Sequence, residues 1–444
     1  MNWTKEQQLA IEKEGCSLII SAGAGSGKTA VLSERVLRKL QEGVDIRNIL
    51  ILTFTNEAAG EMKERIRKKI KKAGLKDQLA YLDAAYITTF DAYAFSLVKK
   101  YHYLFNLDAN LSIIDSSVIN LEKKRILDDI VMDLYNSKDP LYLKLVSDFT
   151  SRDDALIKDA ILNISNTLDL RYDKRDYLNC YIKQFYSDEY VDKIFEEYFL
   201  YLKNLTLLIE EDYYALEGYL NDKQREKCYE ALMKIFKPRS YDEIYSNTVN
   251  LPQFRGLEEE ATSLKETLKE HVKELNELTI YSEEELKSQV KSTKGYVEAI
   301  ISIILQLDDK IGQYKQEKNA FEFSDIAKMA IRLVEEHADI KNELKNTYQE
   351  IMIDEYQDTN DLQEMFIRQI ENNNVYMVGD IKQSIYRFRN ANPNIFREKY
   401  ECYKKHDGGE KIDLLENFRS RREVLTNINE IFNLIMIPDL GGVD

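Results

Sequence analysis

One segment constrains this chain more than any other. Leu18-Ile-Ile-Ser-Ala-Gly-Ala-Gly-Ser-Gly-Lys-Thr29 runs an apolar stretch into a glycine-rich turn, and Lys28-Thr29 then opens a helix-forming stretch. A short apolar run leading through a turn into a helix is the opening of a βα unit on a parallel sheet. The glycines let backbone N–H groups turn inward and cradle phosphate oxygens, and the helix N-terminus adds positive potential. Lys28 reaches the β- and γ-phosphates, and Thr29 supplies a hydroxyl to Mg²⁺. Ala22, Gly23, Ala24, Gly25, Ser26, Gly27, Lys28 and Thr29 are therefore candidate nucleotide-binding residues. Ala22 stands where the G-x-x-x-x-G-K-[ST] pattern has glycine, and a small residue suffices there. The loop implies a nucleoside triphosphate and leaves kinase, GTPase, transporter ATPase and helicase all open.

Such a site needs an acidic partner on a neighbouring strand. Ile351-Met-Ile-Asp-Glu-Tyr-Gln-Asp358 supplies it, with three apolar residues for a buried strand and Asp354 at its C-terminal end. Ligands bind at that end of the strands in open α/β sheets. Asp354 is expected to hold Mg²⁺ through water. Glu355 is expected to orient and deprotonate an attacking water, a role that hydrolysis needs and a kinase does not.

The chain around these two halves has two textures. Leu18–Ile20, Ile49–Leu52 and Tyr86–Thr88 read as short strands, each leading into a helical stretch, and Ile351–Ile353 and Val375–Val378 resume the pattern. This rhythm predicts an α/β fold with a parallel sheet flanked by helices. Between about 115 and 320 glycine and proline are rare and apolar residues recur at three and four, which predicts an all-helical insertion. Leu264, Leu268, Val272, Leu275 and Leu278 form one such stripe, read as helix packing with a short coiled coil as the alternative. Ser282 with Glu285 fits a capping box at the start of the next helix. The 444 residues suggest two or three domains.

Composition limits the rest. Cys16, Cys180, Cys228 and Cys402 are scattered without metal-ligand spacing, which fits a reducing compartment. The start carries no signal-peptide pattern and no apolar run is long enough to span a membrane, so the expected location is the cytoplasm. The net charge of −16 argues against a small phosphate-neutralising DNA-binding domain. A large protein needs only one positive groove, because charge is screened beyond roughly 8–10 Å.

With both halves of the site in hand, the flanking residues resemble the superfamily 1 helicases of the UvrD/PcrA/Rep type. Trp3-Thr-Lys-Glu-Gln7 resembles their Q motif, whose glutamine reads the adenine edge, although Thr4 and Gln7 also fit a capping box. Leu52-Thr-Phe-Thr-Asn56-Glu-Ala-Ala59 resembles motif Ia, which implies contact of Phe54 and Asn56 with single-stranded DNA. Val378-Gly-Asp380-Ile-Lys-Gln383-Ser-Ile-Tyr386-Arg-Phe388-Arg389 is similar to motif III. There Gln383 would sense the γ-phosphate and Tyr386 and Phe388 would stack on bases, worth about 1–3 kcal/mol each; core packing is the other reading of Phe388. Leu415-Glu-Asn417-Phe418-Arg419-Ser420 is similar to motif IV, with Arg419 as the arginine that stabilises charge on the transferring phosphoryl group. Phe418 replaces the usual tyrosine and would still stack on adenine. Lys382, its surroundings and the long insertion are more similar to the AddA and RecB branch, helicase-nuclease subunits that process double-strand breaks, than to UvrD or Rep.

The resemblance implies ATP and Mg²⁺ as cofactors, single- or double-stranded DNA as substrate, and for a partner an AddB-like second subunit. It also implies a domain plan: residues 1–114 and 321–408 as two parts of a first RecA-like ATPase domain, 115–320 as the insertion, and 409–444 as the start of a second RecA-like domain. On that plan the chain is the N-terminal piece of a longer protein, weakly active or inactive alone. A UvrD- or Rep-like repair helicase is the alternative for the whole protein, and a nucleotide-dependent DNA- or protein-binding module is the alternative for the piece. Three features depart from the pattern or weaken it. Asp91 and Ala92 stand where motif Ib usually has histidine and serine, so Asp91 would repel phosphate or cap the following helix. Glu57 stands where many relatives have lysine. The basic run Lys63–Lys72 reads as a solvated helix face before it reads as a DNA track.

Overall fold

The computed structural model describes residues 3–254 and 257–436. They form two compact units, one of residues 3–123, 164–172 and 310–436, the other of residues 124–163, 173–254 and 257–309. The first unit is built on a parallel sheet of six strands: β1 (Leu18–Ala22), β2 (Ile49–Thr53), β3 (Ile87–Thr89), β6 (Glu350–Ile353), β7 (Val375–Gly379) and β8 (Glu410–Leu414). Two further strands, β4 (Ser112–Ile113) and β5 (Ala320–Phe321), form a small parallel pair of their own. The order of the large sheet is β3-β2-β6-β7-β1-β8.

Both faces of this sheet are buried, as parallel crossovers require. Side chains alternate between two cores because successive residues of a strand point to opposite faces. Leu18, Ile20, Ile49, Ile51, Met352, Tyr376 and Val378 pack with Val31, Leu32 and Val36 of the helix after β1 and with Met62, Ile66 and Ile70 of the helix after β2. Ile19, Leu50, Leu52, Ile351, Ile353, Val375 and Met377 pack on the other face with Tyr93, Ile331 and Phe366. The helices on the first face are α1 (Lys5–Glu12), α2 (Lys28–Gln41) and α3 (Asn56–Ala73).

Every strand expected from the sequence is present, and β8 is an addition to them. Residues from 409 onward were expected to open a separate domain. Instead β8 pairs with β1 from Leu18–Glu410 to Ala22–Leu414. Its sequence, Glu-Lys-Ile-Asp-Leu, buries only Ile412 and Leu414, as an edge strand does. The two units also divide near 123 and 310 rather than at 114 and 320, and residues 164–172 belong with the sheet. Residues 437–444 of the expected second domain lie outside the described residues.

The second unit is helical. Its core joins Leu202, Leu205, Ile209 and Tyr213 of the helix Asp188–Glu217 to Leu268, Val272 and Leu275 of the helix Glu259–Leu278. The apolar stripe is therefore helix packing within a compact core. The Ser282–Glu285 capping box forms as expected at the start of Glu283–Ser292. Cys16, Cys180, Cys228 and Cys402 are free, and among the described residues no helix is long and apolar enough to cross a membrane.

One buried ion pair ties three elements of the first unit together. Arg35 of α2 lies 2.6 Å from Glu350 at the start of β6, and its guanidinium also donates to the carbonyls of Ala10 and Ile11 near the end of α1. Burial pushes the Glu350 carboxyl up, against the pull of Arg35. Removing Arg35 would leave that buried carboxylate with only Lys39, 3.8 Å away, at a cost of about 3–5 kcal/mol. Arg35→Ala should lower unfolding stability by that amount in a denaturant titration, and the apolar pair Arg35→Met with Glu350→Leu should recover most of it.

Candidate functional site

Apart from Gln7 on α1, the candidate groups emerge from the C-terminal end of the strands. The phosphate loop follows β1, Phe54 follows β2, Asp354 follows β6, Asp380 follows β7, and Leu415–Arg419 follow β8. Parallel pairing puts every C-terminal strand end on the same side, so residues more than 300 positions apart in sequence meet there, as Lys28 and Glu355 do.

The loop is a tight turn. Gly25 and Gly27 adopt left-handed φ values of 75° and 88°, and the Ser26 hydroxyl donates to the Gly23 carbonyl at 2.7 Å. Beneath it lies Gln7, buried and engaged at both ends of its amide. Oε1 accepts from the Thr4 N–H at 3.1 Å, and Nε2 donates to the Ser26 carbonyl at 2.9 Å. The capping box expected of Thr4 and Gln7 is formed. The same glutamine braces the phosphate loop, a contact with no local sequence signal.

At the centre, Lys28 Nζ lies 3.0 Å from Glu355 Oε2 and 3.4 Å from Gln383 Oε1. Glu355 is held in the left-handed region at φ 54°. A non-glycine residue there is strained by about 1–3 kcal/mol, and such strain gathers at functional sites. Burial, and then the charge of Glu355, push the carboxyls of Asp354 and Asp358 up to about 6. Two carboxyls made reluctant to ionise are what a bound cation would reverse. No group of three or more metal-ligating side chains exists among the described residues. Thr29 and Asp354 are the residues that would hold Mg²⁺.

Gln357 belongs to the acidic segment, but its residue type and spacing announce no role. It is buried, and its Nε2 donates to Glu355 Oε2 at 3.0 Å while its Oε1 accepts from the Asp380 N–H at 2.9 Å. It thus links Glu355 to the segment bearing Gln383, whose Nε2 donates to Asp380 at 2.5 Å. A Cβ on Gly379 would stand 2.4 Å from Gln357 Oε1, so glycine is needed for that side chain to pass.

Beyond Gln383 lies an aromatic group. The rings of Phe54 and Tyr386 are 4.5 Å apart, those of Tyr386 and Phe388 5.8 Å, and the Arg389 guanidinium lies 5.6 Å from both Phe54 and Tyr386. Phe388 is 77% exposed, which removes core packing as its explanation. A cavity of about 290 Å³ is lined by Phe54, Asp354, Glu355, Gln383 and Tyr386, so the aromatic group and the acidic centre share one wall. Asn56 is exposed in the first turn of α3, which Thr55 caps.

Two other expectations are corrected or narrowed. The cap of the helix Phe90–Lys100 is the Thr89 hydroxyl, and Asp91 sits in the first turn with its carboxyl pushed up by burial. In the basic run, Lys63 and Arg67 pair with Asp83 and Lys69 pairs with Glu34, while Arg65, Lys68, Lys71 and Lys72 face solvent, as a solvated helix face does.

The segment after β8 closes over the phosphate loop. Phe418 donates its N–H to the Gly25 carbonyl at 2.8 Å while its ring is 60% exposed, and Arg419 is exposed beside it. A Cβ on Gly25 would meet Arg419 Cβ at 2.7 Å and the Asn417 amide at 2.9 Å, on top of a left-handed strain of about 1–2 kcal/mol. Gly25→Ala should therefore weaken ATP binding at least about tenfold. Titration with a fluorescent ATP analogue checks this, with Gly60→Ala on α3, where a Cβ meets nothing within 4 Å, as a control that binds normally.

Comparison with known proteins agrees with this geometry. The family described as UvrD/REP helicase N-terminal domain matches residues 3–404. The A-subunit of the ATP-dependent helicase/nuclease of Clostridium novyi (strain NT) is 32% identical across 100% of this chain and 40% of its own length. The proteins of the same name from Clostridium perfringens (strain 13 / Type A) and Lactobacillus johnsonii (strain CNCM I-12250 / La1 / NCC 533) are also 32% identical over 100% of this chain, with 39% and 41% of their own lengths covered. The chain thus spans about two fifths of these curated relatives, and by fold, site and sequence it belongs to the UvrD/REP helicase family.

Proposed function

We propose that this chain is the nucleotide-driven motor portion of an ATP-dependent DNA helicase, within the A-subunit of a helicase-nuclease that acts in double-strand break repair and recombination. The observation that carries this reading is the shared wall between Glu355 and Gln383 on one side and Phe54 and Tyr386 on the other. A translocase must convert the loss of a phosphate into a change of grip, and here one short segment holds both groups.

In this reading Lys28 exchanges partners. Without nucleotide its ammonium is neutralised by Glu355; with ATP bound it turns to the β- and γ-phosphates and releases Glu355 to orient and deprotonate the attacking water. Thr29 and, through water, Asp354 would hold Mg²⁺, which would supply charge neutralisation at the phosphates. Gln383, already 3.4 Å from Lys28, senses the γ-phosphate, and Arg419 stabilises its charge during transfer. Ala22, Gly23, Ala24, Gly25, Ser26 and Gly27 cradle the phosphates. Phe418 stacks on adenine, and Gln7 reads its edge with the amide hydrogen that Ser26 does not take. Single-stranded DNA stacks on Phe388 and Tyr386 and passes Phe54 and Asn56. The residues are assigned to a first RecA-like domain interrupted by the helical insertion, with a second such domain beginning after β8. The whole protein would work in the cytoplasm with an AddB-like second subunit.

ATPase activity with and without single-stranded DNA tests the reading. DNA should raise turnover, Lys28→Ala should abolish binding, and Glu355→Gln should keep binding while losing about 10²–10⁴-fold in hydrolysis. Nucleotide bound through Lys28 without hydrolysis would keep the site and leave turnover to the rest of the longer protein, whereas partner binding unchanged in Glu355→Gln would favour a nucleotide-gated binding module for this portion of the chain. Phe388→Ala should weaken single-stranded DNA binding by about 1–3 kcal/mol and leave the melting temperature unchanged, since the ring is exposed.

A further inference from the structure

Asn417 has no part in the chemistry above, yet through it the turn bearing Arg419 touches the phosphate loop. Its side-chain amide is engaged at both ends. Nδ2 donates to the carbonyl of Ala24 at 2.5 Å. Oδ1 accepts from the N–H groups of Arg419 at 2.9 Å and Ser420 at 2.8 Å. Ala24 follows β1 and Asn417 follows β8, and those strands are paired through Ala22–Leu414. The contact therefore lies just beyond the paired ends of the two strands, one residue out of their register.

We infer that Asn417 is a positioning residue that sets the phosphate loop and Arg419 together, an inference that rests on the nucleotide site proposed above. The C=O and N–H of a trans peptide point to opposite sides of the chain. Anchoring the Ala24 carbonyl to Asn417 turns the Gly25 N–H the other way, toward the phosphates. The oxygen of the same amide fixes the turn that aims Arg419. The two jobs need one donor and one acceptor on a short side chain, which is what asparagine offers. Aspartate keeps the acceptor and so the turn, but sets a carboxylate against the Ala24 carbonyl. Alanine loses both.

Equilibrium titration of the 444-residue chain with Mg·ATP and Mg·ADP tests this. Asn417→Ala should weaken both nucleotides about tenfold, through the loop. Asn417→Asp should weaken them at least as much, although its turn is intact. Arg419→Ala should weaken ATP alone, and the double variant Asn417→Ala with Arg419→Ala should lose less ATP affinity than the product of the single losses. Asn417→Asp within twofold of the unaltered chain would overturn the inference, leaving Asn417 as the cap of its own turn. If Asn417→Ala fails to fold, Asn417→Asp alone decides. Failure of the underlying reading looks different: Lys28→Ala would then bind nucleotide like the unaltered chain, or neither would bind.

Discussion

The site exists because β1 is paired on both sides, to β7 and to β8, and all three run parallel. Parallel strands cannot be joined by a tight hairpin, so each crossover carries a helix or more and the strand ends are free to collect residues distant in sequence. A helical unit can be inserted in one crossover without disturbing that arrangement, since the entropy of closing a longer connection grows only with the logarithm of its length. The Arg35–Glu350 pair secures the opposite end of the same sheet, where no ligand chemistry is asked of it. It leaves the C-terminal edge to residues chosen for reactivity rather than stability.

At that edge the charges are poorly satisfied. Asp354 and Asp358 are pushed toward neutrality by burial and by Glu355, and Lys28, the cation that partly offsets this, is shared between Glu355 and Gln383. Glu355 bears backbone strain as well. A nucleotide with its cation would relieve each of these tensions: phosphate oxygens attract Lys28, and Mg²⁺ favours the ionised carboxyls. On the proposed reading, binding would improve this arrangement, and Gln357 and Asp380, which connect Glu355 with Gln383, would carry the change between them.

Strong local patterns made much of this legible in the sequence. The strands β1, β2, β3, β6 and β7 are apolar runs bounded by turns, and Lys28 and Asp354 stand at their ends. What stayed hidden depends on contacts across the fold. β8 alternates charged and apolar residues over one short stretch, so its place in the sheet follows from pairing with β1 and not from its composition. Gln357 and Asn417 are ordinary polar residues until the strands bring Glu355, Asp380 and Ala24 beside them. Gln7 shows the same limit from the other side: its spacing from Thr4 announced a helix cap, while its support of Ser26 required the packing of α1 beneath the loop.

The acidity of the chain bears on how DNA would be held. A basic helix face would release counterions in proportion to the phosphates it neutralises, giving steep salt dependence. On α3, however, Lys63, Arg67 and Lys69 are drawn toward Asp83 and Glu34. Near Glu355 and Gln383 the exposed groups are a ring, Phe388, with Tyr386 and Phe54 behind it, and the cations Lys382, Arg387 and Arg389, the last against the rings. Stacking is tolerant of sequence, because every base has a π-face. A motor that must step over any sequence needs a grip of that kind. Its release can then be set by a small movement of the segment joining Gln383 to Phe388, with no need to break a row of ion pairs at each step.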